Sequence, residues 1–181
     1  DDQNIVYGDA IPTLSFSYSG FVNSEDASDL ITAPTATTAA NASSNAGDYP
    51  ITLSGGVSSN YDFDYTPGTL TIAKADQTIT FDPIADKVYG DADFTLSASS
   101  DSGLPISFSV ASGNASLSGN TVTITGTGLV SIQANQSGDA NFNPATTVSQ
   151  GFEVTKALLS LTADDQNIVY GDAIPTLSFS Y

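Results

Sequence analysis

The side chains of this chain that could do chemistry are almost all oxygen-bearing. Twenty residues are Asp or Glu, and His, Cys, Met and Trp are absent. The three basic residues are Lys74, Lys87 and Lys156. Without His or Cys no Ser-His-Asp or Cys-His arrangement exists, and a zinc site built on nitrogen and sulfur is impossible. Hard oxygen donors suit Ca2+, which makes it the one cofactor the composition favours. The best spacing is Asp139, Asn141 and Asn143, alternate positions that open like a calcium loop, although Pro144 follows and no Glu closes it. Asp91 with Asp93, and Asp76 at a module junction, are the other metal candidates. Plain Asx turns account for the same residues without any ion. Asp62 and Asp64 alternate with aromatic residues and read as the wet face of a strand.

Catalysis has little else to use. A glycosidase needs two carboxylates flanking the scissile bond. The glutamates, Glu25 in a polar segment and Glu153 beside a module end, read as solvated surface groups, so no catalytic residue is expected. Tyr7, Tyr89 and Tyr170 each precede Gly-Asp. Recurrence at one structural position reads as a core or corner tyrosine rather than a sugar-stacking ring. Lys74 and Lys156 close their modules, a poor place for a Lys–Asn isopeptide crosslink, which needs a buried Lys beside an acid.

The elements that hold these residues are strands. Period-2 alternation runs through Leu14, Phe16 and Tyr18; Tyr49, Ile51 and Leu53; Tyr61, Phe63 and Tyr65; and Leu70 and Ile72. It resumes with Ile79 and Phe81; Phe94 and Leu96; Ile106, Phe108 and Val110; Val122 and Ile124; Val130, Ile132 and Ala134; and Phe152 and Val154. One face is apolar and the other is Ser, Thr or Asp, the pattern of an antiparallel sheet with one wet side. Gly119-Asn120 between Leu117 and Val122 gives the clearest hairpin. Residues 20–48 are the exception: polar, Ala/Thr-rich, with a short helical turn expected over 24–30 capped by Ser24 and an edge strand carrying Pro34. About seven short strands per module predict immunoglobulin-like β-sandwiches.

Repetition sets the organisation. Residues 1–18 return unchanged as residues 164–181, an offset of 163. Between them, Val6-Tyr7-Gly8-Asp9-Ala10 is echoed at Val88 and again at Val169, steps of 82 and 81 residues. The unit is therefore an alternating pair of modules, 1–74 and 75–156, with 157–181 starting the next copy. Linkers of one or two residues predict a tandem all-β array held as a semi-rigid rod. The second copy is preceded by Ala157-Leu-Leu-Ser-Leu-Thr-Ala163, whereas the first begins at Asp1. The first module is thus expected to lack its opening strand and to expose a sheet edge or take that strand from a neighbour.

A formal net charge of −17 repels phosphate backbones and anionic lipids, so nucleic-acid binding is excluded and direct membrane insertion is not expected. No apolar run approaches the roughly 20 residues of a membrane span. Lack of Cys argues against a disulfide-built ectodomain.

Val6-Tyr7-Gly8-Asp9-Ala10, Gly47-Asp48-Tyr49-Pro50-Ile51, Ser59-Asn60-Tyr61 and Gly68-Thr-Leu-Thr-Ile72 together resemble the YGX-type MBG domains of bacterial surface proteins. The resemblance covers residues 1–74, and 157–181 as another start. Residues 76–156 resemble the Ig-like module that alternates with it, through Val88-Tyr-Gly-Asp91, Ser102-Gly-Leu-Pro105, Gly126-Thr-Gly128 and Asp139-Ala-Asn-Phe142. The resemblance implies an extracellular location in very long secreted adhesins, including gliding-motility adhesins, and a non-enzymatic role. It carries over no catalytic or binding residues. The expectation is a stalk segment that contacts neighbouring copies of the same repeat, each sandwich adding about 35–45 Å. The alternatives are modules that themselves bind a surface glycan or mucin, or that assemble laterally into a filament.

Overall fold

The computed structural model describes residues 1–180; Tyr181, last of the returning eighteen, lies outside them. The chain is all-β and divides into two compact units. Unit 1 comprises Asp1–Thr80, Ser99–Ile106 and Asn135–Thr147; unit 2 comprises Phe81–Ala98, Ser107–Ala134 and the chain from Val148 onward. Two loops from the second half of the sequence, around Ser102 and Asn141, therefore pack with the first.

In unit 1, β1 (Gln3–Val6), β2 (Thr32–Thr38), β3 (Gly47–Val57) and β4 (Gly68–Ala73) form one sheet in the order β1-β4-β3-β2. β3 is antiparallel to both neighbours, with Ile51 opposite Gly68 on one side and Thr38 on the other. β1 runs parallel to β4, Ile5 opposite Ile72. The alternation of Tyr49, Ile51 and Leu53 against Leu70 and Ile72 turns one face inward, and Ile51, Leu70 and Ile72 are at most 3% exposed. Pro34 sits on the edge strand β2, as expected of a residue with no N–H to give a ladder. Leu14, Phe16 and Tyr18, and likewise Tyr61, Phe63 and Tyr65, keep their alternating burial but join no strand. Strands are expected at both places, and neither segment forms a ladder.

The helical turn over 24–30 is shorter and starts later than expected. It is a 3-10 turn, Ala27–Asp29, capped by Asp26 rather than Ser24. Asp26 Oδ1 accepts from Ser28 N at 2.7 Å, and Asp29 Oδ2 accepts from Asp26 N at 2.9 Å, a reciprocal capping box. Ser24 lies at φ +62°, the left-handed region, whereas a cap residue takes extended backbone.

The remaining strands are β5 (Ile79–Phe81), β6 (Lys87–Val88), β7 (Phe94–Thr95), β8 (Ala98–Ser100), β9 (Ser107–Ser112), β10 (Ala115–Ser118), β11 (Thr121–Ile124), β12 (Gly128–Asn135), β13 (Val148–Thr155), β14 (Thr162–Ala163) and β15 (Phe179–Ser180). Unit 2 is built on a β6-β13-β12-β9 sheet and a β10-β11-β7 sheet, while β5 pairs with β8 and β14 with β15. Phe94 of β7 meets Phe152 of β13 edge-on at 5.6 Å, so the two larger sheets face each other as a sandwich. Val122, Val130, Ile132 and Ala134 are fully buried between them. Leu117 faces Val122 across the expected hairpin, with Gly119 at φ +62°.

The recurring Val-Tyr-Gly-Asp is a turn. Asp9 N donates to Val6 O at 3.0 Å, and Asp91 N and Asp172 N make the same bond to Val88 O and Val169 O. Gly8, Gly90 and Gly171 take φ +93°, +98° and +95°, the third-position glycine that a type II turn demands. The Asp carboxylate then returns to the Val N–H, at 3.1 Å for Asp9 and 2.9 Å for Asp91. The Tyr is not the constant structural element. Tyr7 is half-buried, Tyr89 half-exposed and Tyr170 fully exposed, because its side chain projects from the turn.

Truncating the core reports on each unit separately. Phe152→Ala is expected to lower the stability of unit 2 by about 3–5 kcal/mol, and Leu70→Ala that of unit 1 by about 2–5 kcal/mol, measured by denaturant unfolding.

Candidate functional site

β4 closes the first sheet at Ala73, and residues 74–78 are then held by two further segments of unit 1, Asn135–Thr147 and Ser99–Ile106. Ala75 bridges Phe142 in parallel fashion. Its N–H donates to Asn141 O at 2.9 Å, and its carbonyl accepts from Asn143 N at 2.8 Å. Lys74 Nζ donates to Asp139 O at 2.6 Å. Asn141 reaches back to the first sheet: its Oδ1 accepts from Ala46 N at 3.0 Å, and its Nδ2 donates to Asn45 Oδ1 at 3.0 Å. Phe142 packs edge-on against Tyr7 at 5.4 Å. The linker is a clasp.

At the centre of the clasp is Gln77, one of two buried polar residues among those described; the other is Gln136. Gln77 Nε2 donates to Gln136 Oε1 at 2.6 Å and to Asn143 O at 2.7 Å. Gln77 Oε1 accepts from Ser100 Oγ at 2.8 Å and Ser102 Oγ at 2.5 Å. All four bonding positions of the amide are therefore used. Gln136 Oε1 also accepts from Gly138 N, and its carbonyl from Ala145 N at 3.0 Å. Beside it, Asp101 Oδ1 and Oδ2 accept from Thr78 N at 3.0 Å and Thr78 Oγ1 at 2.7 Å. Those bonds, the backbone one foremost, hold the Asp101 carboxyl below its ordinary range.

The residues singled out for calcium divide between the units. Asp76, Asp139, Asn141 and Asn143 all fall in the clasp. Asn143 Nδ2 donates to Asp76 Oδ1 at 2.8 Å, and Asp139 Oδ1 accepts from Asn141 N and Phe142 N at 2.7 and 2.9 Å, an Asx turn. Asp91 belongs to the second Val-Tyr-Gly-Asp turn of unit 2, and Asp93 Oδ2 accepts from Thr123 Oγ1 at 2.8 Å. Among the described residues no group of three or more Asp or Glu side chains is placed to hold an ion. The phase of alternation marks both Gln77 and Gln136 in the sequence: Gln77 shares a face with Ile79 and Phe81, and Gln136 with Ile132 and Ala134.

The second feature of unit 1 is a slot of about 550 Å³. Its walls are residues 16–21 and 61–68, Asp1 and Asp2 stand at its edge, and Leu30, Pro34 and Leu53 complete the lining. Phe16, Tyr18, Phe21 and Tyr61 form a run of ring contacts at 5.4, 5.6 and 5.2 Å. Phe63 and Tyr65 stack in parallel at 5.9 Å. Tyr61 Oη donates to Glu25 Oε2, which raises the phenol above its ordinary range.

Residues 1–71 match the family model of the MBG domain, YGX type. The first module is MBG-like. The match takes in the first Val-Tyr-Gly-Asp turn, both walls of the slot and most of β4. No curated protein matches the chain. Among solved structures, the crystal structure of Drosophila N-cadherin EC1-4 aligns over 62% of this chain at 11% identity and a TM-score of 0.33. The chain spans about a third of the length of that protein, 34%. Among the described residues no helix is long and apolar enough to cross a membrane.

Three measurements bear on the clasp. Gln77→Met keeps the volume but strips partners from the buried Gln136 amide and from half-buried Ser100, Ser102 and Asn143 groups, and is expected to destabilise unit 1 by roughly 2 kcal/mol in denaturant unfolding. Asn141→Ala should cost ~1 kcal/mol and speed hydrogen exchange at the Ala46 amide, which loses its acceptor. The Asp101 carboxyl is depressed in the folded state, so its contribution is present above the ordinary carboxylate range and is lost as pH falls through its lowered value. Acid titration of the wild type should show that loss, and Asp101→Asn should remove it while leaving the rest of the acid transition in place.

Proposed function

We propose that this chain is one repeating unit of a structural stalk in a large extracellular adhesin of a bacterial cell surface, which holds a distal adhesive region away from the cell and carries tension. The observation that carries the reading is the clasp. A segment whose backbone is bonded to its neighbour through both the N–H and the carbonyl of Ala75, and whose buried glutamine is fully satisfied, resists pulling in a way that a free segment of the same length does not. The alternating repeat supports it, since a length-setting element gains from many near-identical copies. The MBG-type match over residues 1–71 supports the surface setting. The charge of −17 keeps a long polymer dispersed.

Small-angle scattering from one, two and four tandem units tests the mechanical part. A stalk gives a maximum dimension that grows linearly with copy number; growth nearer the square root describes a flexible string and overturns the reading. Antibody labelling of intact cells tests the surface setting. A glycan and mucin array probed with the same units separates stalk from adhesive module: silence favours the stalk, whereas binding that survives high salt favours modules that are themselves the adhesive part.

A further inference from the structure

The chain starts its eighteen-residue sequence a second time at Asp164, and there the residues just ahead of it are paired. Thr162 lies opposite Ser180 and Ala163 opposite Phe179 in an antiparallel ladder. Moved back by the offset of 163, Ser180 and Phe179 are Ser17 and Phe16, part of the first wall of the slot. The bonds flanking the ladder recur in both copies. Asp164 N donates to Ser178 O at 3.2 Å, and Ser178 Oγ to Asp164 Oδ2 at 2.6 Å. In the first copy the Asp1 ammonium donates to Ser15 O at 3.0 Å, and Ser15 Oγ to Asp1 Oδ2 at 3.2 Å. The two copies share one register, and in the first copy that register leads into the slot.

We propose that the slot is the acceptor for a β-strand, and that its occupant is residues 157–163 of a neighbouring copy of the repeat. Continuing the antiparallel register places Leu161 opposite Tyr18, Ser160 opposite Ser19 and Leu159 opposite Gly20. Residues directly opposite each other share a face. Ala163, Leu161 and Leu159 thus join Phe16 and Tyr18 over the rings, while Thr162 and Ser160 join Ser17 and Ser19 in water. A slip of one residue would put both leucines in water and the hydroxyls on the rings. Leu159 also meets the one position on that wall with no side chain.

Both partners are uncovered where they stand. Leu158, Leu159 and Leu161 are 92%, 71% and 60% exposed. Phe16, Tyr18, Tyr61, Phe63 and Tyr65 remain half-buried, while the fully covered apolar side chains of the first sheet are Ile51, Leu70 and Ile72. Neither residues 16–21 nor residues 61–67 of the slot's walls join a ladder, so each offers main-chain groups to an added strand. The pairing rests on the repeat itself and holds whether or not the array stands on a cell surface.

The test places Ala-Leu-Leu-Ser-Leu-Thr-Ala directly ahead of Asp1 in the full chain and follows hydrogen exchange in residues 16–21. Exchange there should slow by roughly tenfold or more, and dye binding to exposed apolar surface should fall. A control with one Gly between the added segment and Asp1 shifts the register and should lose both effects. Equal protection in the two versions, or none in the first, overturns the proposal. Should the extended chain fail to fold, a synthetic peptide of residues 157–163 titrated into the unmodified chain gives the same readout. Protection of residues 16–21 by the peptide supports the inference and its absence at millimolar peptide overturns it. Protection by oligosaccharides but not by the peptide would assign the slot to a glycan instead.

Discussion

The amide of Gln77 determines where the chain goes after its first sheet. A buried carboxamide with two donors and two acceptors is costly unless all are matched, and here the matches come from two separate stretches: Ser100 and Ser102 in one, Gln136 and the Asn143 carbonyl in the other. Both stretches are largely loop beyond the end of β8 at Ser100. The glutamine therefore does for the Ser99–Ile106 and Asn135–Thr147 loops what a hydrophobic side chain does for a strand, with the added demand of direction. The backbone bonds of Ala75 and the Asp101–Thr78 pair lie on either side and inherit their geometry from it. Unit 1 is consequently larger than the stretch of sequence that forms its sheet.

Much of this was legible in the residues, and the remainder was hidden for identifiable reasons. Alternation located the strands whose inward faces are covered, such as Ile51 with Leu70 and Val130 with Phe152, because period-2 burial is a local property of the chain. It could not say whether a ladder would form. Phe16 and Phe63 alternate as well as any strand residue, yet pairing needs a neighbour, which is a tertiary fact. The Val-Tyr-Gly-Asp recurrence was visible as a pattern, but its meaning was misplaced onto the ring. Glycine at positive φ and a carboxylate returning to the Val N–H explain the constant Gly and Asp, and they leave Tyr free to be buried or exposed. The oxygen-rich run from Asp139 to Asn143 was noticed for its ligand types, whereas its side chains serve as turn and clasp partners. Donor count cannot separate those uses; only the positions of neighbouring N–H groups can.

The chain also contains its own control for context. Leu14 is half-buried, whereas Leu177, the same residue in the same eighteen-residue sequence, is 76% exposed. Local sequence sets which side chains would face inward, and the rest of a module decides whether there is an inside.

Two kinds of joint then follow from two kinds of chemistry. The clasp inside unit 1 is polar, assembled from amides, hydroxyls and a carboxylate, so its strength depends on direction and on the ionisation of Asp101. The strand joint inferred between copies is apolar in its energetics, with leucines over aromatic rings, and is insensitive to charge. An array with a net charge of −17 per chain of this length cannot rely on ion pairs between copies, because three lysines are too few to neutralise its carboxylates. The strand pairing proposed above and the hydrogen-bonded clasp within unit 1 both remain strong at so negative a net charge, since neither requires a cation.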